Sequence, residues 1–202
     1  TYHDIDRIFF THNHPDHVCD LIPFLFGSRY QLDTRKKDLE IIAGPGFQDF
    51  FDKLMLAFKH WLKPTEYKLN ILEVDEGVYE FDSLKVQVGK VKHIAMSRGY
   101  RFTNDRGKSV ALSGDTDYCK GMIELGRGAD LMVLECAWPD EEKSEGHLGP
   151  TLAGKLAAEA NCKKICLTHF YPPCDLENIR KKVQDIYTGE LVLARDLMQF
   201  EL

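Results

Sequence analysis

Long apolar runs are missing from this chain of 202 residues. The longest candidate, Leu21-Ile22-Pro23-Phe24-Leu25-Phe26, falls far short of the roughly 18 residues that a helical membrane span needs, so no membrane partner is expected. No charged stretch followed by an apolar one opens the sequence, which starts on Thr1, and a secretory leader is not expected either. An excess of positive charge is also lacking. With 26 Lys and Arg against 32 Asp and Glu, the net charge of −6 gives no global pull towards nucleic acid, although it leaves room for a local basic patch. Cysteine pairs of the CxxC type are absent. The six cysteines, Cys19, Cys119, Cys136, Cys162, Cys166 and Cys174, fall mostly inside apolar patterns and read as reduced, buried small hydrophobes of a cytoplasmic protein. Cys162 and Cys166 resemble a metal clip less than a helix-to-strand connection. Repeats, linkers and low-complexity segments are missing too, which leaves one domain over 1–202.

What is present is an ordinary globular composition, 44% apolar and 29% charged. Strand and helix signals alternate along it. Strands are expected over 5–10, 39–43, 67–74, 78–81, 84–91, 97–103, 109–113, 131–135, 164–168, 191–194 and 197–201. Helices are expected over 17–30, with Val18, Leu21, Ile22 and Leu25 on one face, and over 47–62, 120–126, 151–160 and 176–187. Strand meanders mixed with crossover helices predict layered sheet and helix, the α/β class.

One segment stands apart from packing. His12-Asn13-His14-Pro15-Asp16-His17 places three imidazoles and a carboxylate within six positions, directly after Ile8-Phe9-Phe10-Thr11. Imidazole with carboxylate suits borderline divalent cations, zinc first, then manganese or iron. Further ligand types recur where strands end: His93 after Val91-Lys92, Asp115 after Leu112-Ser113-Gly114, and His169 after Leu167-Thr168. His147, in Glu145-Gly146-His147-Leu148, precedes a helix. Loops after strands are where α/β proteins hold their ligands. Taken singly, His93 or His169 would more often be a satisfied core histidine, Asp115 a turn residue and His147 a helix cap. Their joint occurrence with HxHxDH makes the metal reading the stronger one.

The spacing has a physical sense. His12 and His14 alternate, so in an extended segment both point the same way and can grip one ion, with His93 as third ligand. Asp16 and His17 open a helix and face a second ion alongside His169. Asp115, with two carboxylate oxygens, suits the bridging position. Two ions about 3.5–4 Å apart can share one hydroxide and clamp attacking and leaving oxygens. By formal charge such a centre is about +1, which attracts an anion such as a phosphodiester.

At these residues the chain resembles the metallo-β-lactamase superfamily, whose signature is HxHxDH followed by isolated His, Asp and His ligands. Three segments resemble the ribonuclease Z-like branch of phosphodiesterases: His93-Ile94-Ala95-Met96-Ser97-Arg98-Gly99-Tyr100-Arg101-Phe102, Leu112-Ser113-Gly114-Asp115-Thr116, and Ala129-Asp130-Leu131-Met132-Val133-Leu134-Glu135-Cys136. The His-Pro-Gly-His of lactonase and lactamase branches is absent. The resemblance implies an αββα two-sheet sandwich and metal-dependent hydrolysis. It gives His12, His14 and His93 to one ion, Asp16, His17 and His169 to the other, and Asp115 to both. Asp16, or a hydroxide it orients, would supply the nucleophile. His147 matches the branch's extra histidine, a proton donor or stabiliser of charge on the scissile phosphate. A homodimer is compatible with the resemblance.

Three departures shape the expectation. Only 22 positions lead from His93 to Asp115, enough for a hairpin but not for the arm that captures transfer RNA in ribonuclease Z. The substrate is therefore expected to be small or flexible, a small-molecule or short nucleotide phosphodiester, and not transfer RNA. The branch's His-Ser-Thr is His147-Leu148-Gly149 here. Eleven residues precede His12 where the family has several strands, so the sandwich is expected to lack its N-terminal strands. The rival readings are a hydrolase of a lactone, thioester or sulfate ester on the same site, and a non-catalytic metal-binding or scaffold member. His14 argues against the oxidoreductase branch, which has glutamate at a site histidine.

Overall fold

The computed structural model describes residues 1–30 and 33–202, which form two compact units, Thr1–Asp75 and Glu76–Leu202. Each unit carries its own sheet, so the α/β class and the two sheets expected from the sequence are both present.

In the first unit three parallel strands run in the order β1 (Arg7–Phe9), β2 (Leu39–Ala43), β3 (Leu69–Glu73). Within β2 every residue but Glu40 is buried, the near-continuous apolar pattern of a strand covered on both faces. Parallel pairing requires crossovers, which α1 (Pro15–Val18) and α2 (Leu21–Gly27) supply before β2 and α3 (Phe47–Phe58) supplies after it. Glu73, ending β3, accepts the Gly46 and Gln48 amide protons at 2.8 Å each. That carboxylate satisfies two otherwise orphaned donors at the start of α3 and complements the helix dipole. Phe10 stacks on Phe47 with ring centroids 5.0 Å apart, which anchors the segment entering His12.

The second unit is built on seven strands in the order β10-β9-β8-β7-β6-β5-β4. β4 (Gly77–Phe81), β5 (Leu84–Lys90), β6 (Arg98–Thr103) and β7 (Ser109–Leu112) form an antiparallel meander. β7, β8 (Leu131–Glu135), β9 (Lys164–Thr168) and β10 (Glu190–Leu193) pair in parallel. The intervening α4 (Lys120–Gly126), α5 (Pro150–Ala160) and α6 (Leu176–Gln184) bury Met122, Leu156, Ala157 and Val183 in one core with Met132, Leu134, Ile165 and Leu167. Asp175 caps α6 by accepting the Glu177 and Asn178 amide protons, a contact worth about 1 kcal/mol. Because β7, β8 and β9 are parallel, the residues that follow them leave the sheet at one common end.

Three sequence expectations are corrected. The single helix over 17–30 is two helices, ending at Val18 and restarting at Leu21. Pro23 explains the break: it has no amide proton to return to Cys19, and it is tolerated only within a first helical turn. The helix over 47–62 stays α-helical to Phe58 and then tightens into a 3-10 turn over Lys59–Leu62, within which Trp61 is exposed. The strand over 197–201 does not form, since Leu197 takes a left-handed φ of 62° and is 97% exposed, with no ladder to join.

Candidate metal centre

In the first unit the ligand cluster sits where β1 runs out. His12 is fully buried, His14 precedes α1 in extended backbone, and Pro15 occupies the first helical position, where its missing amide proton is not needed. The His12 ring lies 4.6 Å from the His14 ring and 4.1 Å from the His17 ring, centroid to centroid. The Asp16 carboxylate is 3.3 Å from His17 Nε2. All four sequence-predicted residues of HxHxDH are therefore gathered, the His12 ring in contact with both other imidazoles and the acid beside His17.

In the second unit four loops bring their polar residues together at the common end of the parallel strands. Asp115 follows β7, is almost fully buried, and stands at the centre. His93 Nε2 is 3.8 Å from its Oδ2, His147 Nδ1 is 3.9 Å from the same oxygen, and His169 Nε2 is 3.6 Å from its Oδ1. Two ligands of one zinc ion, each about 2.0–2.1 Å from the metal in tetrahedral geometry, stand roughly 3.4 Å apart. The His93 and His169 separations suit groups that share a cation better than groups that bond each other, since direct hydrogen bonds would be near 2.9 Å; the His147 Nδ1 is engaged elsewhere.

The tautomers are set from behind. His93 Nδ1 lies 2.9 Å from the Gly146 carbonyl, which can only accept, so Nδ1 carries the proton and Nε2 presents a lone pair towards Asp115. Gly146 has φ +83°, and a Cβ there would stand 2.9 Å from His93 Nδ1. Glycine thus lets its carbonyl approach the ring. His169 adopts φ +61°, a left-handed conformation uncommon outside glycine, directly after β9. The surrounding fold sustains this strain of about 1–3 kcal/mol at a residue that turns towards Asp115.

Glu135 was not among the expected site residues. It closes β8 almost fully buried and accepts a proton from His147 Nδ1 at 2.9 Å. The same carboxylate accepts the Thr116 amide at 2.9 Å and the Ala137 amide at 3.1 Å. The hydrogen bond to Glu135 raises the His147 pKa above the ordinary imidazole value, against the opposing effect of burial, with the Glu135 and Asp115 charges adding to the rise. The sequence did carry a signal, an acid terminating the otherwise apolar Leu131-Met132-Val133-Leu134. Lys143, bonded to Asp117 at 2.9 Å, ties the His147 loop to the segment after Asp115. His3 and His60, set aside in the sequence, take no part in either cluster.

The donor set gathered in the second unit is of the type that divalent metal takes. Oxygen and nitrogen ligands of Asp115, His147 and His169 lie within 4.8 Å of one another, imidazole and carboxylate together, with no thiolate.

The family model described as a beta-lactamase superfamily domain matches residues 1–170. Ribonuclease Z of Brevibacillus brevis is 28% identical over 236 aligned positions, spanning 90% of this chain and 73% of that protein. An uncharacterized protein of Mycobacterium tuberculosis is 30% identical and spans 91% of this chain and 68% of its own. Among solved structures, the metallo-beta-lactamase fold protein YhfI from Bacillus subtilis superposes with a TM-score of 0.81 at 23% identity, over 96% of this chain and 76% of that one.

Proposed function

The chain belongs to the beta-lactamase superfamily of metal-dependent hydrolases, and from that premise we propose that it is a phosphodiesterase of the ribonuclease Z-like branch. The observation that carries the reading is the convergence of His93, His147 and His169 on the single buried carboxylate of Asp115. Carried over from the family's motif order, His12, His14 and His93 would hold one ion and Asp16, His17 and His169 a second, with Asp115 serving both. We take the ions as zinc, with manganese or iron as the alternatives. When bound, they supply Lewis acidity at the phosphoryl oxygens and lower the pKa of water.

The protein's own part is orientation and proton handling. Asp16, at the helix start, orients the attacking water. Glu135 fixes the Nδ1–H tautomer of His147 and favours its charged form, which leaves Nε2 to pass a proton to the departing oxygen. A positioned acid of this kind is worth roughly 10²–10⁴ in rate. The 22 positions from His93 to Asp115 form only the β6–β7 hairpin, with a turn at Asn104-Asp105-Arg106-Gly107. That favours a small or flexible phosphodiester over transfer RNA.

The setting proposed is the cytoplasm, where six free cysteines persist, and a homodimer is the assembly suggested by the resemblance. None of the described helices is long and apolar enough to cross a membrane.

The test is direct. Metal-loaded protein is offered bis(4-nitrophenyl) phosphate, 4-nitrophenyl acetate and an aliphatic lactone, and its metals are counted by elemental analysis. Two ions per chain with preference for the phosphodiester supports the reading. Preference for a carboxylic ester moves the substrate class, and absence of bound metal makes the chain a non-catalytic member.

A further inference from the structure

Beyond the ligands, the second unit sets two aromatic rings at the edge of its histidine cluster. Tyr171 follows His169 by two residues, and Trp138 follows Glu135 by three. Their loops are zipped as continuations of the sheet: the Cys136 amide donates to the Thr168 carbonyl at 2.9 Å, and the Tyr171 amide donates to the Ala137 carbonyl at 3.1 Å. The Cys174 thiol adds a contact to the Ala137 carbonyl at 3.2 Å. Backbone positions on both sides of the pair are thus fixed before any ligand arrives.

The ring geometry is specific. Trp138 meets Tyr171 edge-on, with centroids 5.0 Å apart and planes at 89°. Edge-to-face contact of this kind is the preferred aromatic arrangement and holds a ring in one orientation. The Tyr171 ring then lies 5.1 Å from the His169 ring and 6.1 Å from the His147 ring. Both aromatic residues stay partly exposed. An oriented, partly exposed aromatic ring about one ring's breadth from the residues that would handle the scissile phosphate has a defined use. It can receive a flat group attached to that phosphate.

We propose that Tyr171, held edge-on by Trp138, is the stacking platform for a nucleobase of the substrate, making this chain selective for nucleotide phosphodiesters. The inference rests on the phosphodiesterase reading and narrows its substrate class. Stacking is tolerant of base identity because every base has a π-face, so the selectivity is for the presence of a base and not for its sequence. It acts on binding, since the base lies away from the bond that breaks. The signature is therefore a change in KM with kcat retained.

Two measurements test it. In the first, metal-loaded wild type, Tyr171→Phe and Tyr171→Leu are given thymidine 5′-(4-nitrophenyl) phosphate and methyl 4-nitrophenyl phosphate, which share a leaving group and differ in the nucleoside, the sugar's share being read from the second measurement. Wild type and Tyr171→Phe are expected to show a KM roughly 10- to 100-fold lower for the nucleotide than for the methyl ester, and Tyr171→Leu to bring the ratio of the two KM values towards one. In the second, calorimetry compares adenosine 5′-monophosphate with ribose 5-phosphate, which lacks the base, on the same three proteins. Tighter binding of the nucleotide that Tyr171→Leu abolishes supports the platform whether or not turnover is seen. Equal affinity for the two phosphates, or a nucleotide preference untouched in Tyr171→Leu, overturns it. The phosphodiesterase reading fails separately, when neither nitrophenyl phosphodiester is cleaved.

Discussion

The Glu135 carboxylate accepts a proton from His147 Nδ1 at 2.9 Å while also accepting two backbone amides, those of Thr116 and Ala137. One buried acid thereby orients the ring and pins the loops after β7 and β8. Replacing it by glutamine removes the charge and keeps an acceptor of the same shape. Glu135→Gln is expected to retain metal by elemental analysis and to lower kcat roughly 10- to 100-fold, the usual effect of losing an outer-shell partner. Unchanged turnover would make Glu135 purely a structural clamp.

His147 and Asp115 separate by the same pair of readouts. His147 Nδ1 is committed to Glu135, whereas Asp115 has His93 and His169 Nε2 atoms 3.8 and 3.6 Å from its oxygens. His147→Ala is expected to keep its metals and lose about 10²–10⁴ in rate. Asp115→Ala is expected to lose metal outright. Metal loss from His147→Ala would reassign that residue as a ligand.

How much of this was legible in the sequence depends on how local each signal is. HxHxDH is dense enough to be read without tertiary information, and its rings do gather in the structure. His93, Asp115 and His169 were legible because each follows a run with a strand's pattern, alternating before His93 and apolar before the other two, and β5, β7 and β9 all run the same way and release their successors at one end. Glu135 was not, because a strand-ending acid looks like a solvent-facing stop until the loop carrying His147 folds over it. The left-handed backbone of His169 leaves no trace in residue type either. The break between α1 and α2 was readable in principle, from Pro23, but the apolar stripe of Val18, Leu21 and Leu25 masked it.

Asp130 supplies a pH-dependent prediction away from the histidines. Lys163 Nζ donates to it at 2.8 Å and the Ser109 amide at 2.9 Å, which ties the starts of β7, β8 and β9 together. The Lys163 bond, then the Ser109 amide, hold its pKa down at about 2. A carboxyl depressed on folding stabilises above its unfolded pKa, near 3.9, and loses that contribution as pH falls through the folded value. Lys163 is largely exposed, so solvent screening trims the contribution to about 1–2 kcal/mol. Asp130→Asn is expected to unfold at lower urea by that amount at pH 7 and equally at pH 5, with roughly half of the difference gone near pH 3. A difference that stays constant down to pH 3 would trace it to packing, not charge.

Two glycines in helices make opposite demands on the same substitution. Gly121 lies in the first turn of α4, where an added Cβ would collide with the Lys90 carbonyl oxygen of β5. The obstacle is backbone, so the helix itself must move off the strand. Around Gly27, at the end of α2, nothing lies within 4 Å of that position and the backbone is helical. Gly121→Ala is expected to cost about 1–3 kcal/mol, the usual penalty of overpacking. Gly27→Ala is expected to leave stability unchanged or raise it by up to about 1 kcal/mol, because alanine restricts the unfolded chain at no steric cost. Urea unfolding of both variants beside the wild type checks the pair. Equal effects at the two positions would mean that α4 does not approach β5 as closely as the fold requires.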